Sequence, residues 1–161
     1  MTVLTESANI AIRVDGSTEI GLGHIYRCVC LASNIRRFGL RVTFLIREIN
    51  PMAQDLIESS GHELINLETV HKNREFGNIY EKWLGVTERE DANQCRPLIE
   101  SLRPRLVIVD HYGISSKWAE IAIPRNVPLC VIDDLANRNV SCSILIDHNV
   151  NRKALDYETF I

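Results

Sequence analysis

Residues 9–28, NIAIRVDGSTEIGLGHIYRC, hold the choice of fold. Asn9–Val14 is apolar and partly β-branched, and it stops at Asp15-Gly16-Ser17, a turn signal, so it reads as a strand. From Gly23 to about Phe38 the apolar residues Ile25, Val29, Leu31, Ala32 and Ile35 fall mostly at helical spacing. Gly39 follows where a left-handed residue closes a helix. A strand, a glycine-rich turn and a helix in immediate succession open a βα unit.

The pattern continues along the chain. RVTFLI (41–46) is a second strand, residues 51–60 a short helix closed by Gly61, and HELINL (62–67) a third strand. Residues 68–85 are polar and poorly patterned, and read as a connecting excursion. Thr87-Glu88-Arg89-Glu90 fits a capping box and opens a helix to Leu102. RLVIVD (105–110) is nearly continuous in apolar residues, as a strand buried on both faces should be. A helix over 116–123 and strands in PLCVIDD (128–134) and CSILID (142–147) complete the series, and no finished element follows Asp147. Strands alternating with helices predict an α/β, Rossmann-like parallel sheet with helices on both faces.

Apolar residues make up 45% of the 161 residues and charged residues 24%, the balance of a globular domain with enough chain for a core. The formal charge of -3 and the lack of a basic, aromatic-interleaved patch give no electrostatic case for nucleic acid or an anionic membrane. Met1–Ser7 lacks the pattern of a secretory signal, and runs such as LVIV (106–109) are too short to cross a bilayer, so the cytoplasm is the expected location. Cys28, Cys30, Cys95, Cys130 and Cys142 show no C-x-x-C spacing. They read as reduced, small apolar side chains, with Cys28 and Cys30 on different faces of one helix.

Open parallel sheets bind ligands outside the carboxyl ends of their strands. Polar clusters follow four of the expected strands: Asp15 to His24, Asp110 to Gly113, Asp133-Asp134, and His148 to Asn151. In the first, Gly21 and Gly23 free the backbone to turn sharply and approach a ligand. The helix behind them presents free N–H groups and a positive dipole end, which suits phosphate and disfavours a protonated imidazole at His24. His24 is then either a neutral general base at a ligand rim or a side chain that caps or packs the first helical turn. A dinucleotide-binding loop is the competing motif, and Glu48 offers its acid, but Tyr26 stands where its third glycine belongs. Asp110 and His111 are neighbours on a strand and point to opposite faces, so they are not expected to touch. Asp110 serves as an acid–base partner or as a loop anchor. Asp133 and Asp134 offer two acids to a metal, with no third ligand nearby.

Five blocks, RVDGSTEIGLGHIYRCVCLA (13–32), WLGVTEREDANQ (83–94), VDHYGI (109–114), VIDDLANR (131–138) and DHNVNRKALDYE (147–158), resemble in order the UDP-sugar hydrolases of pseudaminic acid biosynthesis. The resemblance implies a GT-B, glycosyltransferase-like architecture, similar to the enzyme that adds N-acetylglucosamine to the lipid-linked peptidoglycan precursor. Residues 1–150 would be its N-terminal Rossmann-like domain, 151–161 the start of a linker, and the nucleotide-binding domain would be absent. It implies loss of UDP from UDP-2,4-diacetamido-2,4,6-trideoxy-β-L-altrose to water, with inversion, with His24 as the base, and without metal or cofactor. UDP is a good leaving group, so one base and good positioning suffice.

By position, Arg13, Asp15, Gly21, Gly23 and Arg27 would build the loop around water and sugar. His111, Tyr112 and Asn151 would add sugar contacts, and Asp133 and Asp134 would orient loops. The family is nearly twice this length, so a missing domain or a partner chain is expected to supply most UDP contacts. The alternatives are a non-catalytic, acceptor-side half of a split GT-B complex, and a nicotinamide-binding domain, against which Tyr26 and His24 both count.

Overall fold

A computed structural model describes residues 9–69 and 79–161. β1 (Asn9–Val14) runs through the middle of a parallel sheet. β2 (Arg41–Ile46) and β3 (Glu63–Asn66) lie on one side of it. β4 (Leu106–Asp110), β5 (Leu129–Ile132) and β6 (Ile144–Ile146) lie on the other, giving the order β3-β2-β1-β4-β5-β6. The α/β, Rossmann-like class expected from the sequence is what the chain adopts.

Strand alternation divides the core in two. Ile10, Ile12, Val14, Phe44, Ile46 and Ile108 pack under α1 (Gly23–Arg36) and α2 (Pro51–Ser59). Ala11, Leu45, Val107, Val109 and Val131 pack under α3 (Ile79–Leu84), α4 (Glu88–Leu102) and α5 (Ser116–Ala122). Burial on both faces explains why β1, β2 and β4 read as apolar runs. The capping box is formed: Thr87 Oγ1 accepts from the Glu90 N–H at 3.2 Å, and Glu90 Oε2 accepts from the Thr87 N–H at 2.8 Å. Cys28 is buried and Cys30 exposed, and all five cysteines are free. Among the described residues no helix is long and apolar enough to cross a membrane.

Two segments differ from expectation. Residues 70–78 of the presumed excursion, like Met1–Ser7, lie outside the described residues, but its end is the helix α3. Its signal is the spacing of Tyr80, Trp83 and Leu84, with Leu84 fully buried. The tail also makes a turn of 3-10 helix, Ala154–Tyr157, whose Tyr157 is buried.

β1 carries one cation into this core. Arg13 shares a face with Ala11 and points toward α4, fully buried. Its Nη2 and Nε donate to Asp91 at 2.6 and 3.1 Å. Arg47 Nη2 and Trp118 Nε1 donate to the same carboxylate, each at 2.8 Å. Asp91 sits in the first turn of α4, where the helix dipole favours an anion. Burial pushes this carboxyl up, yet Arg13 and Arg47 outweigh it and hold it well below the usual carboxylate range. Removing one partner of such a cluster strands the others. Asp91→Ala is therefore expected to cost about 3–5 kcal/mol, read as a fall in the urea midpoint, while an exposed change such as Glu120→Ala stays within about 0.5 kcal/mol.

Candidate active site

The chain leaves β1 toward β2 and returns to β4 on the opposite side. The loops after β1 and β4 therefore diverge and leave a crevice at their carboxyl ends. His24, on the first turn of α1, meets Asp110, the last residue of β4, across this gap, with Nδ1 2.7 Å from Oδ1. Asp110 has the parity of Ile108, so strand alternation aims it at α1. His24, Arg27 and Cys28 lie three and four residues apart on the facing side of that helix. Arg27 Nε and Nη2 clasp both Asp110 oxygens at 2.5 Å, and Cys28 Sγ approaches Oδ2 at 3.4 Å.

Burial raises Asp110, but the hydrogen bonds from Arg27 and His24 prevail and leave it below the usual carboxylate range. An ionised carboxylate only accepts, so the proton of the 2.7 Å contact belongs on His24 Nδ1. Arg27 Nη2, 2.9 Å from the same Nδ1, is then a neighbour whose hydrogen bonds go to Asp110. His24 does not cap the helix, since Leu22 is the N-cap and no side chain caps this end, but it is buried and packs edge-on against Tyr112. Nor does Asp110 anchor a loop; it holds His24 and Arg27.

The glycines divide their work. Gly21 has φ +86° and requires a residue without Cβ, whereas a Cβ on Gly23 would meet open space. The close helix–strand approach falls instead at Gly16, where a Cβ would lie 2.3 Å from Ile25 Cγ1. Tyr26, half exposed, takes no part in it.

Arg13 and Asp15 lie beneath the loop, not on its surface. Both are buried, 2.7 Å apart, and Asp15 Oδ1 accepts from the Arg47 and Glu48 N–H groups at 2.7 and 3.1 Å. His111 is also buried, on the α4 side as its parity requires, with Nδ1 accepting from the Gly113 N–H at 3.0 Å and Nε2 3.4 Å from Asp15 Oδ2. Asp110 and His111 thus belong to separate groups. Tyr112 lies at the crevice, its ring edge-on to His24 at 4.8 Å and its hydroxyl donating to Asp134 at 2.5 Å. Asn151 is exposed in the turn after β6, and no hydrogen bond joins it to this group.

Two aromatic residues absent from the sequence candidates complete the wall. Tyr80 stands 5.6 Å from Tyr112 and 5.4 Å from Trp83, and Trp83 is 6.2 Å from Tyr112. Gly113 lets α3 come this close, since a Cβ there would lie 2.5 Å from the Tyr80 carbonyl oxygen. Asp133 binds Arg138 and the Leu135 and Ala136 N–H groups, which makes it a loop anchor. Among the described residues no group of three His, Cys, Asp or Glu is arranged to hold a metal ion.

No protein-family model matches the chain. It is 28% identical over 157 residues to the UDP-2,4-diacetamido-2,4,6-trideoxy-β-L-altropyranose hydrolase of Campylobacter jejuni, covering 94% of this chain and 46% of that protein. It is 27% identical over 111 residues to an uncharacterized protein, MJ1062, of Methanocaldococcus jannaschii, covering 69% of this chain and 18% of the other. The chain therefore spans less than half the length of these curated relatives. Among solved structures, MurG of Acinetobacter baumannii superposes with TM-score 0.58 at 11% identity, over 90% of this chain and 42% of that one. A UGT transferase of Siraitia grosvenorii in complex with UDP gives TM-score 0.54 at 16% identity, over 80% and 28%. At these identities the likeness shows the fold alone, an α/β Rossmann-like domain that matches less than half of either structure.

The buried histidine has a consequence for stability. Burial is the main force that lowers His111, from 6.5 to about 4, and Arg13 adds to it while Asp15 opposes. Between those pH values the unfolded chain binds the extra proton and the folded chain does not. The stability tied to neutral His111 is thus complete above about 6.5 and is lost as pH falls toward 4, a change of about 3 kcal/mol. Urea midpoints at pH 7 and pH 4.5 should show this loss, and His111→Asn should flatten it.

Proposed function

We propose that this chain carries the base-bearing half of an enzyme that hydrolyses a UDP-linked diacetamido-trideoxy sugar at its anomeric carbon. The observation that carries this reading is the His24–Asp110 pair, 2.7 Å apart at the switch point of the sheet. The 28% identity with the Campylobacter jejuni hydrolase supports the choice of substrate.

In this mechanism His24 Nε2 accepts a proton from water as the water oxygen bonds to the anomeric carbon. The bond from that carbon to the phosphate oxygen breaks, its electron pair leaves with UDP, and the configuration inverts. Asp110 holds the productive tautomer and stabilises the imidazolium as it forms. Arg27 stays on Asp110 and keeps that carboxylate ionised. The rings of Tyr80, Trp83 and Tyr112 give the crevice an apolar wall beside the imidazole, suited to a sugar with a methyl group and acetamido substituents. The turn at Gly21 leads into α1, whose first backbone N–H groups, from Gly23 on, would meet the departing phosphate. Residues outside these 161 would hold most of the uridine diphosphate, consistent with the 46% share of the matched hydrolase.

A second reading is the acceptor-side half of a split glycosyltransferase-like complex, for which the fold shared with MurG and the UGT transferase speaks. It predicts a stable complex with a partner chain and no release of UDP from the sugar in water.

The test is UDP release from UDP-2,4-diacetamido-2,4,6-trideoxy-β-L-altrose, followed by phosphorus NMR, on the protein expressed from its own gene. His24→Asn should lower kcat by about 10²–10⁴-fold with little change in KM. Asp110→Asn should cause a loss of similar order, because it favours the wrong tautomer. Unchanged turnover in His24→Asn would remove the base assignment.

A further inference from the structure

Asp134 joins the crevice to the tail. Its side chain is 16% exposed, with Oδ1 accepting from the Tyr112 hydroxyl at 2.5 Å and Oδ2 3.4 Å from Arg27 Nη1. Arg27 touches both His24 and Asp110, and the Tyr112 ring packs edge-on against His24. The Asp134 carbonyl oxygen is held from the other direction, by Asn149 Nδ2 at 3.0 Å and Arg152 Nη2 at 2.8 Å. Both donors belong to the segment after β6.

That segment is itself pinned. Arg152 Nε donates to Asp147 Oδ2 at 2.9 Å. The Tyr157 hydroxyl lies 2.7 Å from Asp147 Oδ2, 3.0 Å from Asp133 Oδ2 and 2.9 Å from the Asp133 carbonyl oxygen. One hydroxyl has one proton, so the three acceptors share it, and Arg138 on Asp133 and Arg152 on Asp147 balance the two carboxylates. Residues 147–157 therefore grip the end of β5 through both Asp133 and Asp134.

We propose that Asp134 is a positioning residue through which the segment 147–157 sets the His24–Asp110 pair. Its carboxylate orients Tyr112 against the imidazole and shares Arg27 with Asp110, and the tail keeps that carboxylate in place. The role rests on reading His24 as the base, and it adds a route by which whatever moves the tail alters that base.

Among the described residues, the charged and titratable groups around His24 include His111, buried on the other side of β4 and close enough for the two imidazoles to oppose each other's protonation. Asp110 faces it from β4, and Arg27 and Cys28 from its own helix. Tyr112 faces it from the loop after β4, with Tyr80 of α3 behind that ring. Asp134 and His148, 3.7 Å apart, lie beyond Arg27 and Tyr112. Removing the Asp134 charge leaves Arg27 less compensated, which disfavours an imidazolium at His24. Removing Arg152 has two possible effects of opposite sign. Loss of a cation acting only through space would favour the imidazolium, whereas release of Asp134 would disfavour it.

The experiment is a pH titration of the His24 ring resonances by NMR in the substrate-free protein, for the wild type, Asp134→Asn and Arg152→Gln. Arg152 is 26% exposed, so its replacement is expected to fold. The expected result is a lower His24 titration midpoint in both variants, with the larger change in Asp134→Asn. A raised or unmoved midpoint in Arg152→Gln would overturn the coupling, and an unmoved midpoint in Asp134→Asn would overturn the positioning role. Because no substrate is present, failure of the UDP-sugar hydrolysis would leave this result standing, and failure of the coupling would leave that activity standing.

Discussion

The burial of Arg13 is the constraint around which the molecule is arranged. A guanidinium in the central strand cannot be left without partners, and the sources of negative charge it meets are Asp15, just past the end of its own strand, and Asp91 in the first turn of α4. Meeting that need fixes where α4 starts relative to β1. It also draws in Arg47 from the end of β2 and Trp118 from α5, so one carboxylate ties together two strands and two helices. Asp15, held against Arg13, accepts from the backbone after β2 and gives the glycine loop a rigid floor. The precision available to the residues above the loop comes from this floor.

Strand parity separates that floor from the crevice. Arg13, Asp15 and His111 have side chains toward α4, while Asp110 points toward α1. Two adjacent residues, Asp110 and His111, therefore serve different purposes: one faces the imidazole that opens on the crevice, the other sits dry beneath it. The same alternation explains why Arg13 and Asp15, though close in sequence to His24, act by supporting the loop.

Much of the fold was legible because its determinants are local. The apolar runs of β1, β2 and β4, the capping box of α4 and the closing Gly39 and Gly61 are each set by neighbouring residues. The short α3 was missed because its apolar face consists of only Tyr80, Trp83 and Leu84 after a polar stretch, and such a helix is held by tertiary packing rather than by propensity. At the site, His24 and its glycine turn could be picked out from spacing. Its partner could not, because pairing of residues 24 and 110 depends on the strand order, which brings β4 beside β1. Arg13 looked like a ligand contact for a related reason. Sequence shows a charge near a motif, but whether that charge lies above or below the sheet surface is decided by a carboxylate on a distant helix.

The crevice is a set of nested supports, and their hierarchy says where variation is tolerated. The imidazole is steadied by Asp110, Asp110 by Arg27, and Arg27 shares Asp134 with Tyr112. The links are charge-assisted hydrogen bonds that join α1, the end of β4 and the end of β5, so the geometry at His24 is set by elements that meet only in the folded state. The aromatic wall is different in kind. Tyr80 and Trp83 stand on a six-residue helix that follows a polar stretch and is admitted by Gly113, and their contacts with Tyr112 are ring packing. Packing of this sort accepts changes of shape that an ion pair does not. The His24–Asp110 pair is thus anchored at the sheet, while the aromatic side chains of Tyr80 and Trp83 beside it stand on the segment between β3 and α4 and are held by ring packing.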